Sequence, residues 1–237
     1  MTRRRWIADE VSGNRAALTG KHADHLVRVL RARVGQEFDI ATASAVRRGR
    51  VTAIADNRVE FDLDEEVPIA PATDLTLLLA VFKFDRMEWA IEKCTELGVS
   101  RIVPVIARRT DAHLASASSK RVERWRRIAF QAAEQSRGAA PPEIAGPVKL
   151  KEAASLSGDL RVVLAETEEE TQLRDVLVSH SGVGDAVLAV GPEGGWTENE
   201  LHFLLETGWI PASLGPTIVR AETAAIAATA ITMAVLR

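Results

Sequence analysis

AVGPEGGWTENE, residues 189–200, closes an apolar run that begins at Asp185 and leads into a helix start. A buried strand ending in Gly191-Pro192-Glu193-Gly194-Gly195 marks a place where backbone approaches something closely or takes φ > 0. Neither familiar phosphate loop fits. No Lys-Ser/Thr pair follows the glycines, and the G-x-G-x-x-G spacing is absent. Thr197 and Glu200 have capping-box spacing, with Trp196 and Leu201 placed as its hydrophobic staple. The glycine loop therefore lies between a strand's C-terminal end and a helix N-terminus, the edge where open α/β sheets bind ligands.

The strand–loop–helix order recurs upstream. Leu75–Phe82 is a continuous apolar run, as expected of a strand buried on both faces. Asp85 and Glu88 then repeat the capping-box spacing, with Phe84 and Trp89 as a staple. Met87, Ala90, Ile91, Cys94 and Leu97 follow at helical spacing until Gly98. Further strands are predicted at 101–106, 160–165 and 185–190, and helices near 119–136, 197–207 and 222–236. This alternation predicts an α/β fold with a mostly parallel sheet covered on both faces. Residues 1 to about 66 differ. Short alternating runs at 36–41, 49–54 and 58–63 predict half-buried strands, with a short helix over His22–Arg33 that buries Leu26, Val29 and Leu30. The proline- and acid-rich stretch Asp64–Thr73 reads as a linker. The expected organisation is a small β-domain at 1–69 and an α/β domain at 70–237.

The 237 residues carry a net charge of −3, but the charge is segregated. Arg3–Arg50 holds 11 Lys/Arg against 5 Asp/Glu, and Arg101–Arg137 holds 9 against 3. From Gly138 onward the balance is 6 against 14. Two basic segments on a mildly acidic chain can form a phosphate footprint or a solvated surface. One cysteine, Cys94, excludes an internal disulfide framework and a Cys-based zinc site, and suits a cytoplasmic protein. The apolar tail Ala224–Leu236 is too short to span a bilayer.

Two more strand ends carry unusual loops: Leu164-Ala165-Glu166-Thr167, and Leu214-Gly215-Pro216 running to Arg220-Ala221-Glu222-Thr223. The charge run Glu168–Glu170 after the first of them reads as solvated surface. With the glycine loop the two could wrap one small ligand. Across nearly the whole chain the sequence resembles the bacterial 16S ribosomal RNA methyltransferase E family, uridine-N3 methyltransferases of the SPOUT class. The stretches that carry the likeness are 22–31, 92–99, 133–136, 190–195, Leu214-Gly-Pro and Arg220–Ala224. At Gln135-Ser-Arg-Gly the chain departs from the family's usual Gln-x-Gly-Arg, which shifts Arg137 by one position.

The resemblance implies a PUA-like RNA-binding barrel followed by a trefoil-knotted SPOUT domain. That domain binds S-adenosylmethionine at a homodimer interface and uses no metal. The implied substrate is 16S ribosomal RNA or the small ribosomal subunit, with no membrane partner. Implied cofactor contacts are Leu164, Ala165, Glu166, Gly191, Pro192, Glu193, Gly194, Gly195, Leu214, Gly215, Ile218, Val219, Arg220 and Thr223. Gly191, Gly194 and Gly195 would form a wall against which the cofactor packs. Arg220 is the candidate cation for the imide anion left when uracil N3 loses its proton. Glu222 is the second catalytic candidate; it or Glu193 would accept that proton or orient Arg220. Candidate RNA contacts are Arg4, His25, Arg28, Arg31, Arg47, Arg48, Arg50 and Arg137. The alanines at 224, 225, 227 and 228 would give the last helix a flat packing surface for the dimer. Cys94, on an apolar helical stripe, reads as structural rather than as a nucleophile. A non-catalytic RNA-binding assembly factor and a nucleotide hydrolase are the competing readings.

Overall fold

The computed structural model describes residues 5–42, 45–67, 74–136 and 140–236. The chain falls into two compact units, Met1–Ala70 with Ala133–Ala140, and Pro71–Ala132 with Pro141–Arg237. The expected boundary between 69 and 70 lies outside the described residues.

In the first unit the strands are β1 (Arg5–Ile7), β2 (Glu10–Ser12), β3 (Arg15–Thr19), β4 (Glu37–Ala41), β5 (Val46–Ala55) and β6 (Arg58–Glu66). They form one sheet in the order β1-β4-β5-β6-β3-β2, antiparallel except where β1 joins β4. Alternating residues fill the core, among them Phe38, Ile40, Val51, Val59, Phe61 and Leu63. The Phe38 and Phe61 rings meet edge to face at 6.2 Å.

The helix expected over His22–Arg33 is instead a short α1 (Gly20–Asp24) continued by a π-helical turn, His25–Val29. Leu30 N–H donates to the His25 carbonyl at 3.2 Å, a rung one residue wider than in an α-helix. The wider turn rotates the apolar stripe. Leu26 stays buried, but Val29 is 63% exposed. Arg31, in the left-handed region with φ 53°, follows the turn.

The second unit holds β7 (Asp74–Ala80), α2 (Phe84–Leu97), β8 (Arg101–Ile106), α3 (Ala112–Ser118) and α4 (Val122–Ser136). Residues 133–136 of α4 group with the first unit. There follow β9 (Glu143–Ile144), β10 (Val148–Lys149), α5 (Leu150–Ala153), β11 (Leu160–Leu164) and α6 (Leu173–Ser179). The chain ends with β12 (Asp185–Val190), α7 (Glu198–Glu206), β13 (Ile210–Ala212) and α8 (Ala221–Val235). All strand pairs are parallel, in the order β10-β8-β7-β12-β11-β13, with β9 also on β8.

Period-two alternation splits the strand residues between two helical layers. Leu75, Leu77 and Leu79 of β7, with Ala186, Leu188 and Val190 of β12, face residues of α2, α4, α6 and α8. Leu78 and Ala80, with Val187 and Ala189, face α5 and α7. Losing one fully buried leucine such as Leu77 would cost ~2–5 kcal/mol.

Helix α2 buries Met87, Ala90, Ile91 and Cys94 and stops at Gly98, whose φ of 97° suits a glycine. Its start departs from expectation. Lys83 is the N-cap and makes no side-chain cap bond. Glu88 instead accepts two bonds from Arg124, at 2.6 and 2.8 Å, and Phe84 packs on Trp125 rather than on Trp89. A bidentate ion pair with a distant helix outcompetes the local cap.

Candidate active site

Because β12, β11 and β13 are adjacent, the loops leaving their C-terminal ends are adjacent too. They line one cleft, built from residues 164–167, 190–193, 195–196 and 212–219, with Leu201 of α7 and Ala221 and Ala224 of α8. Strand order thus joins three segments that lie far apart in sequence. Of the anticipated contacts, Leu164, Ala165, Glu166, Gly191, Pro192, Glu193, Gly195, Leu214, Gly215, Ile218 and Val219 line the cleft. Gly194, Arg220 and Thr223 do not. Trp196 and Leu201, placed by their spacing as a staple, line it as well as packing into the core layer that α5 and α7 cover.

The glycine loop is set from below by α7. Thr197 Oγ1 accepts from Glu200 N–H, and Glu200 Oε2 accepts from Thr197 N–H, closing the anticipated capping box. Such a cap is worth ~1 kcal/mol. Glu200 also accepts from Arg108 N–H at 2.7 Å, tying the loop after β8 to the same helix start. Arg109 donates to the carbonyls of Gly194 and Trp196 at 2.5 and 3.2 Å. Sequence reasoning misses Arg109, since nothing local in Arg108-Arg109-Thr110 points to residue 194.

The three glycines differ. A Cβ on Gly191 would meet the Trp196 ring at 3.2 Å, and one on Gly194 would rest against Arg109 Cδ at 3.4 Å. A side chain on Gly194 would thus face Arg109, and Gly194 is not among the residues that line the cleft. Gly195 has φ 68°, and a Cβ there would stand 2.6 Å from Glu166 Oε1.

The acids also depart from expectation. Glu222, in the first turn of α8, is buried and lies 3.4 Å from Arg86 Nη1 of α2. It does not orient Arg220, because the first turn of α8 aims it at α2. Glu193 Oε1 lies 3.6 Å from the same Arg86 nitrogen. Arg220 is the exposed N-cap of α8 and has no ion-pair partner among the described residues. Glu168, expected as plain solvated surface, accepts from Glu170 and Thr171 N–H groups at 3.0 and 2.8 Å, and the Thr171 bond leads in lowering its pKa.

Cys94 is fully buried beneath α8 and accepts from Thr229 Oγ1 at 3.4 Å. Burial pushes its thiol up to about 12, which suits a structural role. Ala225 and Ala228 are fully buried in the core of the second unit rather than on a free surface, while Ala224 and Ala227 are half-buried. Among the described residues no His, Cys, Asp and Glu cluster could hold a metal ion, and no helix is long and apolar enough to cross a membrane.

In the first unit the candidate RNA contacts divide sharply. Arg4 and Arg137 lie outside the described residues. Arg47 donates to the carbonyls of Asp64 and Leu63 and to Asn14 Oδ1, at 2.9–3.1 Å. Arg48 pairs with Asp39 and Glu65, and Arg50 with Glu37. These three are cross-strand ties of the sheet, not free cations. His25 is exposed, its ring 5.7 Å from that of Trp6. Arg28 is exposed with one weak partner, Asp24 at 3.5 Å. Arg31 and Arg33, beside the π-helical turn, are exposed with no ion-pair partner among the described residues. Two stretches of the sequence likeness meet here: His22 Nε2 lies 2.8 Å from Glu134, and Nδ1 lies 2.9 Å from Asp9. The helix-119–136 arginines are largely engaged, Arg121 and Arg124 with Glu88, and Arg126 with Glu123 and the Ile144 carbonyl.

Residues 70–233 match the family model described as an RNA methyltransferase domain, which sets the class. Ribosomal RNA small subunit methyltransferase E of Synechocystis is 32% identical over 215 residues, 87% of this chain and 69% of the relative. The protein of that name from Rickettsia conorii is 31% identical, covering 90% of this chain and 87% of its own. The chain belongs to the ribosomal RNA small subunit methyltransferase E family. The crystal structure of the Neisseria gonorrhoeae member bound to S-adenosyl methionine superposes with a TM-score of 0.79 at 28% identity, covering 96% of this chain and 95% of that one.

Proposed function

We propose that this chain transfers a methyl group from S-adenosylmethionine to N3 of a uridine in 16S ribosomal RNA of the small subunit. The observation that carries the reading is the convergence of three strand-end loops on one cleft, in a fold shared with a relative solved with that cofactor. The residues suit the group. Leu164, Leu214, Ile218 and Val219 offer apolar surface for an adenine ring, and Glu166 offers a carboxylate for ribose hydroxyls. Among the described residues no neighbouring atom lies within 4 Å of where a Cβ on Gly215 would stand, which leaves its backbone open to a ligand. When bound, S-adenosylmethionine supplies an electrophilic methyl group on a sulfonium.

Arg220 sits between Val219 and Ala221, both of which line the cleft. Its guanidinium is free to stabilise the negative charge that spreads over the two uracil carbonyls as N3 loses its proton. Glu222, held against Arg86, serves the site's architecture. The remaining work of the site is to align nucleophile and methyl group.

The first unit fits a PUA-like RNA-binding domain, with His25, Arg28, Arg31 and Arg33 as its cationic contact. A knotted C-terminal segment is supported by the strand order, in which β12 inserts between β7 and β11 before the chain passes to β13 and returns as α8. Exposed Ile218 and Val219 support burial of the cleft rim in a homodimer. A cytoplasmic site of action follows from the substrate.

Calorimetric titration with S-adenosylmethionine, with mass mapping of small-subunit RNA made with and without the protein, tests the proposal. One added methyl group on a uridine is the expected result. Cofactor binding with no methylated nucleotide would favour the assembly-factor reading.

A further inference from the structure

We infer that Arg86 is a positioning residue that clamps the two walls of the cleft through a single guanidinium. It stands on the first turn of α2, outside the cleft lining. Its Nη1 lies 3.6 Å from Glu193 Oε1 and 3.4 Å from Glu222 Oε1. Glu193 belongs to the glycine loop and lines the cleft. Glu222 lies between Ala221 and Ala224, which line it from α8. One nitrogen thus joins both walls.

The electrostatics make the clamp necessary. The Glu222 side chain is only 5% exposed, and its Oε2 has no hydrogen-bond partner among the described residues. Among the described residues Arg86 is the one cation paired with either acid. Without it a buried carboxylate would lose its counter-charge, and a second carboxylate would repel it. The relief available is for the glycine loop and α8 to separate, which would open the cleft. The base of the clamp is rigid. Met87, Ala90, Ile91 and Cys94 of α2 are fully buried, and Thr229 of α8 bonds to Cys94.

The test rests on the cofactor reading above only for its probe, S-adenosylmethionine. Titration calorimetry compares wild type, Arg86→Ala, Arg86→Lys and the double variant Arg86→Gln with Glu222→Gln, with thermal melting of each alone. Arg86→Ala should weaken binding about tenfold or more, the low end of what leaving a buried carboxylate without its ion-pair partner costs. Arg86→Lys should stay close to wild type. The double variant should recover affinity relative to Arg86→Ala, because no buried charge is left uncompensated. At saturating cofactor the single-turnover rate should change far less than the affinity, since Arg86 lies outside the cleft lining. Wild-type affinity in Arg86→Ala, or a double variant no better than that single one, overturns the clamp. If Arg86→Ala does not fold, Arg86→Gln alone against the double variant makes the same comparison. Wild type that fails to bind S-adenosylmethionine would strike the cofactor reading instead. The clamp would then stand or fall on whether the double variant melts above the single one.

Discussion

Gly194 and Gly195 look equivalent in sequence, yet replacing them by alanine should have opposite outcomes. Gly195 has φ 68°, and an alanine held there costs ~1–2 kcal/mol. Its Cβ would also stand 2.6 Å from Glu166 Oε1, the far end of a flexible side chain. The carboxylate can swing away at little cost in stability, but it then leaves its place in the cleft. Losing a charged hydrogen bond to a ligand is worth ~1.5–3 kcal/mol, or about 10- to 100-fold in affinity. Gly194 has no positive φ, and its Cβ would make an ordinary 3.4 Å contact with Arg109. Gly194→Ala should therefore fall within ~0.5 kcal/mol of wild type. Urea denaturation and calorimetric titration with S-adenosylmethionine, run on both variants and on Gly195→Ala with Glu166→Ala, separate strain from displacement. The double variant should keep the strain cost without a further loss of affinity beyond that of Glu166→Ala. If Gly194→Ala proved as damaging as Gly195→Ala, the assignment of the strained turn to Gly195 would be refuted.

Arg220→Ala should lower the single-turnover methylation rate by about 100- to 1,000-fold, or ~2.7–4 kcal/mol, with little change in cofactor affinity; a rate within threefold of wild type would remove it from the chemistry. Replacing Arg28, Arg31 and Arg33 together by alanine should weaken RNA binding and reduce the salt slope by about 2, since each phosphate left unneutralised on a single strand takes ~0.7 from it. The same change at Arg47, Arg48 and Arg50 should chiefly lower the melting temperature, and an equal fall in salt slope there would reverse this assignment. Asp185 has its pKa raised, first by burial and then by Asp74 and Asp159. Its stabilising contribution is thus full below the ordinary aspartate range and lost as pH rises through the raised value. Asp185→Asn should melt above wild type at pH 7, with the advantage shrinking toward pH 3; a difference that does not vary with pH would argue against the charge effect.

The sequence was most legible where the physics is local. Thr197 and Glu200 sit three residues apart and cap the same helix, so spacing alone finds them. The apolar β7 run and the Gly98 stop are equally local. At Asp85 and Glu88 the same spacing misleads, because Arg124 takes Glu88 through a tertiary ion pair. The cleft's loops were each visible as glycine- or proline-marked strand ends, and strand order brings them together. What holds the loops was hidden. Arg109 meets Gly194, and Arg86 meets Glu222, across separations that no periodicity or motif spans. Helix α6 is short and follows the charge run Glu168–Glu170, so its buried Leu173, Val176 and Leu177 span too few turns to stand out by periodicity. The π-helical turn gave no signal because its widened rung uses backbone groups that any residue supplies.

The central place of β12 has a consequence for how the protein is made. Residues 185–190 pair with Asp74–Leu79 of β7, so the middle of the sheet must wait for a segment near the end of the chain. Contacts between such distant segments form slowly, because a long loop must close before any pairing is gained. During synthesis β7 is therefore held with one edge unpartnered until nearly the entire chain has emerged. Leu75, Leu77, Leu78 and Leu79, all fully buried at the end, then stay exposed as an apolar patch beside an open strand edge. Slow elongation after residue 190 or shortage of chaperone should cost yield here well before it costs the stability of protein already folded.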